Sequence, residues 1–407
     1  MTIIKINGDK VYLTQVRNPS VKMGKGMSAT LFMGDANGNI YIAKKPRWRA
    51  LGSIFKESLP TELKPYESWT YLDFRREKEN LSEEKLNLLR SYFNHLKELT
   101  IEAAFGEIVY MKVAARLFPI SAQLPVCFLH IESETDEPLI ISTYLPDFNE
   151  FISKKVELIL GAKVESAAEW DYRKKLSRAD LKFTRHELKL LGKLYCLGLL
   201  MHDWDLVNNI MLANSGCIGD SETAKKISVV DGGNKFHFGF GGLTCEETAL
   251  ENRVFNPKAK RDDSPRGFNF TFPFDTGVFL TLPRMVIPDL FDLNDLDFVQ
   301  GFLEMIEEAR ASINSQPSCI QMAVREAFTH ITEDSDKHIK EQLRNRNSTL
   351  LNHRYYKGKE RSGYILEQIL HGRLHSLEKI AARLSKGDTV AQINQETQEN
   401  YYFSQCW

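Results

Sequence analysis

A leucine-rich stretch ending at Met201 runs directly into His202-Asp203-Trp204-Asp205-Leu206-Val207-Asn208-Asn209-Ile210. A further carboxylate, Asp231, follows the apolar run Ile227-Ser228-Val229-Val230 and precedes Gly232-Gly233. The order demanded is a buried helix, an acidic loop, a strand, a connection, and a second strand that ends on an aspartate before a tight turn. Such groups suit phosphoryl transfer. A carboxylate can orient a hydroxyl and accept its proton, while Asp and Asn oxygens hold the hard divalent cations that screen nucleotide phosphates.

The chain of 407 residues is long enough for two or three lobes, and 43% hydrophobic with 26% charged residues is the balance of an ordinary globular protein. Its net charge of -1 conceals an uneven distribution, because residues 337–386 are strongly basic. That stretch, with His338, His353, His371 and His375, suits a phosphorylated ligand or an anionic membrane surface. No run approaches the length of a membrane span, and the opening residues lack the apolar core of a secretory signal. Cysteines 127, 196, 217, 245, 319 and 406 form no CxxC pair, which argues against a zinc cluster or a disulfide framework.

The first 45 residues read as short strands: 11–16, 31–33 and 40–45. A glycine loop at 23–30 contains Gly24, Gly26 and Ser28, and Asp35-Ala36-Asn37-Gly38-Asn39 forms a hairpin turn. Residues 47–80 read as loops or an insertion. Helices are predicted over 82–100 and again over 101–118, and strands over 126–131 and 139–145. Beyond a boundary near Pro146 come a helix over 186–201, strands over 210–213 and 227–230 joined by a connection at 214–226, and a mainly helical C-terminal third. Its last helix, 364–384, is predicted to carry much of the basic face.

A lysine projecting from a strand compensates phosphate charge, and a helix carboxylate often holds it in place. Lys44 and Lys45 both end the strand over 40–45, and alternation lets only one point inward. Lys44, with its Lys-x-Pro context, is slightly preferred, and Lys45 stays open. Glu107 is the favoured carboxylate partner, because Phe105, Ile108 and Val109 surround it with apolar neighbours and burial then requires a cation. Glu102 is the alternative. In the acidic loop, Asp203 is preferred as base or hydroxyl-positioning group, with Asp205 open for the same role. Asn208 or Asn209 joins Asp231 as metal ligand.

In the order of these elements the chain resembles a remote member of the protein-kinase superfamily over roughly its first 235 residues. More narrowly, it is similar to the atypical Legionella effector kinases that host inositol hexakisphosphate activates. The resemblance implies an α+β, bilobal kinase-like fold with an N-lobe over 1–145, a C-lobe over 146–299 and a helical extension over 300–407. It further implies ATP with Mg2+ or Mn2+, Gly24, Gly26 and Ser28 over the phosphates, and phosphorylation of a host protein hydroxyl. A bacterial protein secreted into host cytosol, peripheral on membranes through phosphatidylinositol 4-phosphate, is the implied setting, with no nucleic-acid partner. An activating polyanion would engage basic residues among Lys154, Lys155, Arg173, Lys174, Lys175, Arg178, Lys182 and Arg185. Asp231-Gly232-Gly233 lacks the aromatic residue of the family's Asp-Phe-Gly, and no Ala-Pro-Glu segment follows, so a conventional activation loop is not expected. The same machinery would serve a phosphoinositide or small-molecule acceptor, and a pseudokinase-like membrane adaptor is the nonenzymatic alternative.

Overall fold

The computed structural model describes residues 2–6, 9–16, 30–46, 48, 50–52, 59–132, 135–145, 148–149, 178–201, 216–219, 226–229, 292–332, 339, 343, 363–389 and 392. These form a mixed α and β structure in which helix predominates. In chain order the strands of the N-terminal part are β1 (Thr2–Ile6), β2 (Asp9–Gln15), β3 (Thr30–Gly34) and β4 (Ile40–Lys44). They precede helices α1 (Tyr71–Glu77) and α2 (Glu83–Leu117), and then strands β5 (Cys127–Ile131) and β6 (Pro138–Thr143). Together the strands make a six-stranded antiparallel sheet in the order β1-β2-β3-β4-β6-β5. The β3–β4 turn forms as its sequence requires. Asp35 accepts hydrogen bonds from the backbone of Asn37 (2.9 Å) and Asn39 (2.8 Å), and Gly38 takes a φ of 82° that a side chain would oppose.

The two helices predicted over 82–100 and 101–118 are one helix, α2, of 35 residues. Ser82 caps its first turn, and Glu83 and Glu84 complement its dipole. Thr100 does not break it, because Oγ1 donates back to the Leu96 carbonyl at 2.9 Å. The N-terminal half of α2 packs on the segment expected to be loop. Leu89, Phe93 and Leu96 meet Leu51, Leu63, Tyr71 and Phe74 in a separate small core. Helix α1 forms there because Thr70 and Asp73 make a reciprocal capping box.

Strand β7 (Phe148–Asn149), helices α3 (Arg178–Leu181) and α4 (Arg185–Met201), and strands β8 (Gly216–Gly219) and β9 (Ile227–Val229) follow. The last three strands in this series form a small antiparallel sheet, β7-β8-β9, so the segment expected to be a plain connection at 214–226 contains a strand. The strand predicted over 210–213 lies outside the described residues.

The C-terminal helices are α5 (Leu296–Ser315), α6 (Cys319–Ala327) and α7 (Tyr364–Ser385). Helix α5 spans the boundary expected at 299/300. It shares one hydrophobic core with the C-terminal half of α2, with α4, and with α6 and α7. Phe105 of α2 lies 4.8 Å from Phe328 between ring centroids, and Glu326 takes both Lys112 (2.7 Å) and Arg116 (2.8 Å) of α2. Helices α4 and α5 cross where Gly192 and Gly301 face the opposing backbone. A Cβ on Gly192 would lie 1.9 Å from the Phe298 carbonyl oxygen, and one on Gly301 1.8 Å from that of Lys189. Among the described residues no helix is long and apolar enough to cross a membrane.

Candidate functional site

Sheet register decides which lysine faces α2. In β4, Ala43 pairs with Ile141, which pairs with Phe128, and these three share the core on the sheet face away from α2. One residue on, Lys44 pairs with Ile140, which pairs with Leu129, and both apolar residues belong to the α2 core. Alternation therefore sends Lys44 toward α2, where its Nζ reaches Glu107 Oε2 at 3.3 Å. Their side chains are 17% and 3% exposed. An ionised carboxylate buried to that degree needs a charged partner, and this one joins sheet to helix across 63 residues of sequence.

Lys45 leaves the strand on the other side. Its ammonium bonds Glu137 and lies 3.6 Å from Glu132 at the base of the β5–β6 turn. The bond to Glu137 raises the Lys45 pKa despite partial burial. The two neighbouring lysines thus have distinct carboxylate partners. Glu102 is also buried on α2.

The two motif segments approach from the other half of the core. Helix α4 ends at the buried Met201, one residue before His202. Strand β9 ends at Val229, two residues before Asp231. It docks beside the chain leaving α2, through bonds from Ile227 N to Ser121 O (2.8 Å) and from Gln123 N to Ile227 O (2.9 Å). Ser121 also receives Lys193 Nζ of α4 on its Oγ at 3.0 Å, and its own amide donates to Glu308 of α5 at 3.1 Å. The roots of both motifs are therefore tied, through one short segment after α2, to the helix that carries Glu107. Asp203, Asp205, Asn208, Asn209 and Asp231 themselves lie outside the described residues, as do Gly24, Gly26 and Ser28.

Of the basic residues proposed for a polyanion, Lys154, Lys155, Arg173, Lys174 and Lys175 lie outside the described residues. Arg178 is engaged by carboxylates at the start of α5, bonding Asp295 and lying 3.7 Å from Asp292 with its guanidinium over the Phe298 ring. Arg185 is 91% exposed and lies 3.8 Å from Asp297. Lys182 is exposed, at a left-handed position with a φ of 47° that ends α3. Nor does α7 present all its cations outward. Arg373 is buried and donates to the Leu200 carbonyl at 3.1 Å, and Arg383 pairs with Asp388 at 2.7 Å.

Sequence reasoning missed Arg373, although a signal was present. It occupies the apolar stripe of Leu366, Leu370, Leu374 and Leu377, where a charge must find a polar target inside the protein. The Gly192–Gly301 crossing was also missed, because the two positions lie in separate helices whose pairing no local pattern specifies. Among the described residues no group of three or more His, Cys, Asp or Glu could hold a metal ion. In comparisons with known proteins, no family model, no curated protein and no solved structure matches the chain.

Proposed function

We propose that the chain is an atypical, bilobal protein kinase that transfers the γ-phosphoryl group of ATP to a protein hydroxyl. The observation that carries the reading is the Lys44–Glu107 pair, which joins strand β4 to helix α2. A lysine so held is a fixed positive charge for nucleotide phosphates, and the strand-lysine, helix-glutamate arrangement is the one kinases use. Further support comes from the common tether of the two motif roots to the end of α2.

In the proposed reaction the acceptor oxygen attacks the γ-phosphorus and the bond to the β–γ bridging oxygen breaks. ADP departs, and the acceptor proton passes to Asp203 or Asp205. Mg2+ or Mn2+, held by Asp231 with Asn208 or Asn209, would neutralise phosphate charge. Inositol hexakisphosphate remains part of the proposal as activator. Lys154, Lys155, Arg173, Lys174, Lys175 and the exposed Lys182 are its basic candidates, whereas Arg178 and Arg185 already face carboxylates of the α5 region. A host protein substrate, host-cytosolic action and a membrane carrying phosphatidylinositol 4-phosphate complete the proposal.

The test is incubation of the full chain with γ-labelled ATP, Mg2+ and eukaryotic extract, with and without inositol hexakisphosphate. Protein and metabolite fractions are counted separately, and α-labelled ATP is run in parallel to detect AMP transfer. The expected result is γ-labelled protein that falls about 100-fold or more in Lys44→Met and Asp231→Ala. Label confined to metabolites would reject a protein acceptor. No turnover by the wild type under any condition would reject the kinase.

A further inference from the structure

We propose that Glu326 is a positioning residue for the Lys44–Glu107 pair, acting through α2 from the side of that helix opposite the sheet. This inference rests on the kinase reading for its catalytic consequence, though not for its structural one. Lys112 Nζ lies 2.7 Å from Glu326 Oε1 and Arg116 Nη2 lies 2.8 Å from Oε2, so cations of α2 hold both carboxylate oxygens. Two residues on, the Phe328 ring packs 4.8 Å from that of Phe105.

Helix periodicity puts these contacts on one line. At about 100° per residue, Lys112 and Arg116 project within about 20° of the direction of Phe105, whereas Glu107 projects about 160° away from it. Glu107 accordingly meets Lys44 of the sheet, while Phe105, Lys112 and Arg116 meet Glu326 and Phe328 on the far side. One ion pair on one side leaves a helix able to roll about its axis. A roll of about 20° carries a side-chain tip at a radius of about 5 Å through about 2 Å. That is enough to take the 3.3 Å contact between Lys44 and Glu107 out of bonding range. Apolar packing resists such a roll without direction, whereas two charge-assisted bonds one turn apart fix both rotation and register.

The segment that follows Glu326 is itself tied to the sheet. Thr332 N donates to the Leu129 carbonyl and His330 Nδ1 to the Cys127 carbonyl, each at 2.9 Å, and the His330 ring stacks on Phe128. Cys127, Phe128 and Leu129 belong to β5, which pairs with β6 and so reaches β4. The bonds close a ring from Lys44 to Glu107, along α2 to Lys112 and Arg116, across to Glu326, and back through His330, Thr332, β5 and β6. Residues 326–332 thus strap α2 against the sheet with Glu107 held at Lys44, and Glu326 does so without touching substrate.

The reactivity of the Lys44 amine reads the pair directly, since an amine bonded to a buried carboxylate is shielded from reagent. Full-length wild type, Glu326→Gln, the double variant Lys112→Met with Arg116→Met, and the triple variant are treated with a trace of acetic anhydride, and acetylation at single lysines is read by peptide mass spectrometry. Exposed Lys85 normalises for reagent, and Lys193, buried on α4, reports general opening. We expect Lys44 acetylation to rise about 5-fold in Glu326→Gln, as for the loss of a partly screened ion-pair set, with Lys193 unchanged. The double variant should show the same rise and the triple variant no more, because all three remove one link. With ATP and inositol hexakisphosphate, kcat should fall about 2-fold or more in Glu326→Gln. Unchanged Lys44 acetylation overturns the proposal, as does a matching rise at Lys193, a larger rise in the triple variant, or an unchanged kcat in an active enzyme. If the wild type turns over no ATP and Lys44 acetylation still rises selectively, the strap stands and the kinase reading fails. Should either Glu326→Gln or the double variant not fold, the other decides on the same outcomes.

Discussion

Lys44 and Glu107 hold each other at 3.3 Å across the interface between β4 and α2, and Lys45, one residue on, belongs to a different pair. Substituting the two lysines therefore gives opposite results. Lys44→Met should abolish phosphoryl transfer, by about 100-fold or more, and should cost about 3 kcal/mol of stability by stranding the buried Glu107. Lys45→Met should keep its activity and lose about 1 kcal/mol or less, since Lys45 is 34% exposed and water screens its ion pairs. Pairing Lys44→Met with Glu107→Gln should restore most of the stability and none of the activity. Rates from purified variants and urea midpoints check both halves, and an active Lys44→Met would remove the central support for the kinase reading.

At the α4–α5 crossing the limiting contact is backbone against backbone. Gly192→Ala would place a methyl 1.9 Å from the Phe298 carbonyl oxygen, so the helices must separate along a shared core. We expect a loss of about 3 kcal/mol, read from the denaturation midpoint. Gly372→Ala is the control with the opposite sign. A Cβ there meets nothing within 4 Å, so the change should stabilise α7 by about 0.5–1 kcal/mol. Equal midpoints for the two variants would contradict the crossing geometry.

Much of the sheet was legible because its strands are short, alternating and separated by turn residues, as with Asp35 to Asn39 before β4. Glu107 was legible because a carboxylate among Phe105, Ile108 and Val109 has few alternatives to an ion pair. The choice between Lys44 and Lys45 was not, since alternation separates two neighbours without saying which face meets the helix. That required the register that sets Lys44 beside Ile140. The small core around Phe74 and Phe93 was hidden for another reason. Its aromatic residues come from short pieces with no common period, and they cohere only on the N-terminal half of α2. The apparent break before Ile101 reflects the low helix propensity of a β-branched pair, Thr100 and Ile101, which tertiary burial overrides.

Glu326 links α2 to α6, and its protonation should loosen that link. Burial raises its pKa, but hydrogen bonds and charge from Lys112 and Arg116 more than offset this and bring it to about 2, from an ordinary 4.5. A depressed carboxylate contributes stability that is full above the unfolded value and is lost as pH falls through the folded one. The side chain is 38% exposed, so screening limits the contribution to about 1 kcal/mol. Glu326→Gln should therefore be about 1 kcal/mol less stable than wild type at pH 7, and the difference should shrink between pH 4.5 and 2. A gap that does not change with pH would show that the ion pairs contribute nothing.

Tyr71 ties the small core to the sheet. Its hydroxyl donates to Asp136 at 3.2 Å, the same carboxylate that Lys97 of α2 meets at 3.0 Å, while Trp48 stacks on its ring at 5.0 Å. Tyr71→Phe keeps the ring and removes the bond, at an expected cost of about 1 kcal/mol at pH 7. Burial first, and then the Asp136 charge, raise the Tyr71 pKa to about 12 from an ordinary 10. The unfolded chain therefore gives up this proton before the folded protein does, and stability falls as pH rises above 10 toward 12. The phenylalanine variant lacks that loss. Its deficit against wild type, followed by urea unfolding from pH 7 to 11, should narrow once pH passes 10, whereas a constant deficit would mean that the Tyr71 phenol ionises alike in both states.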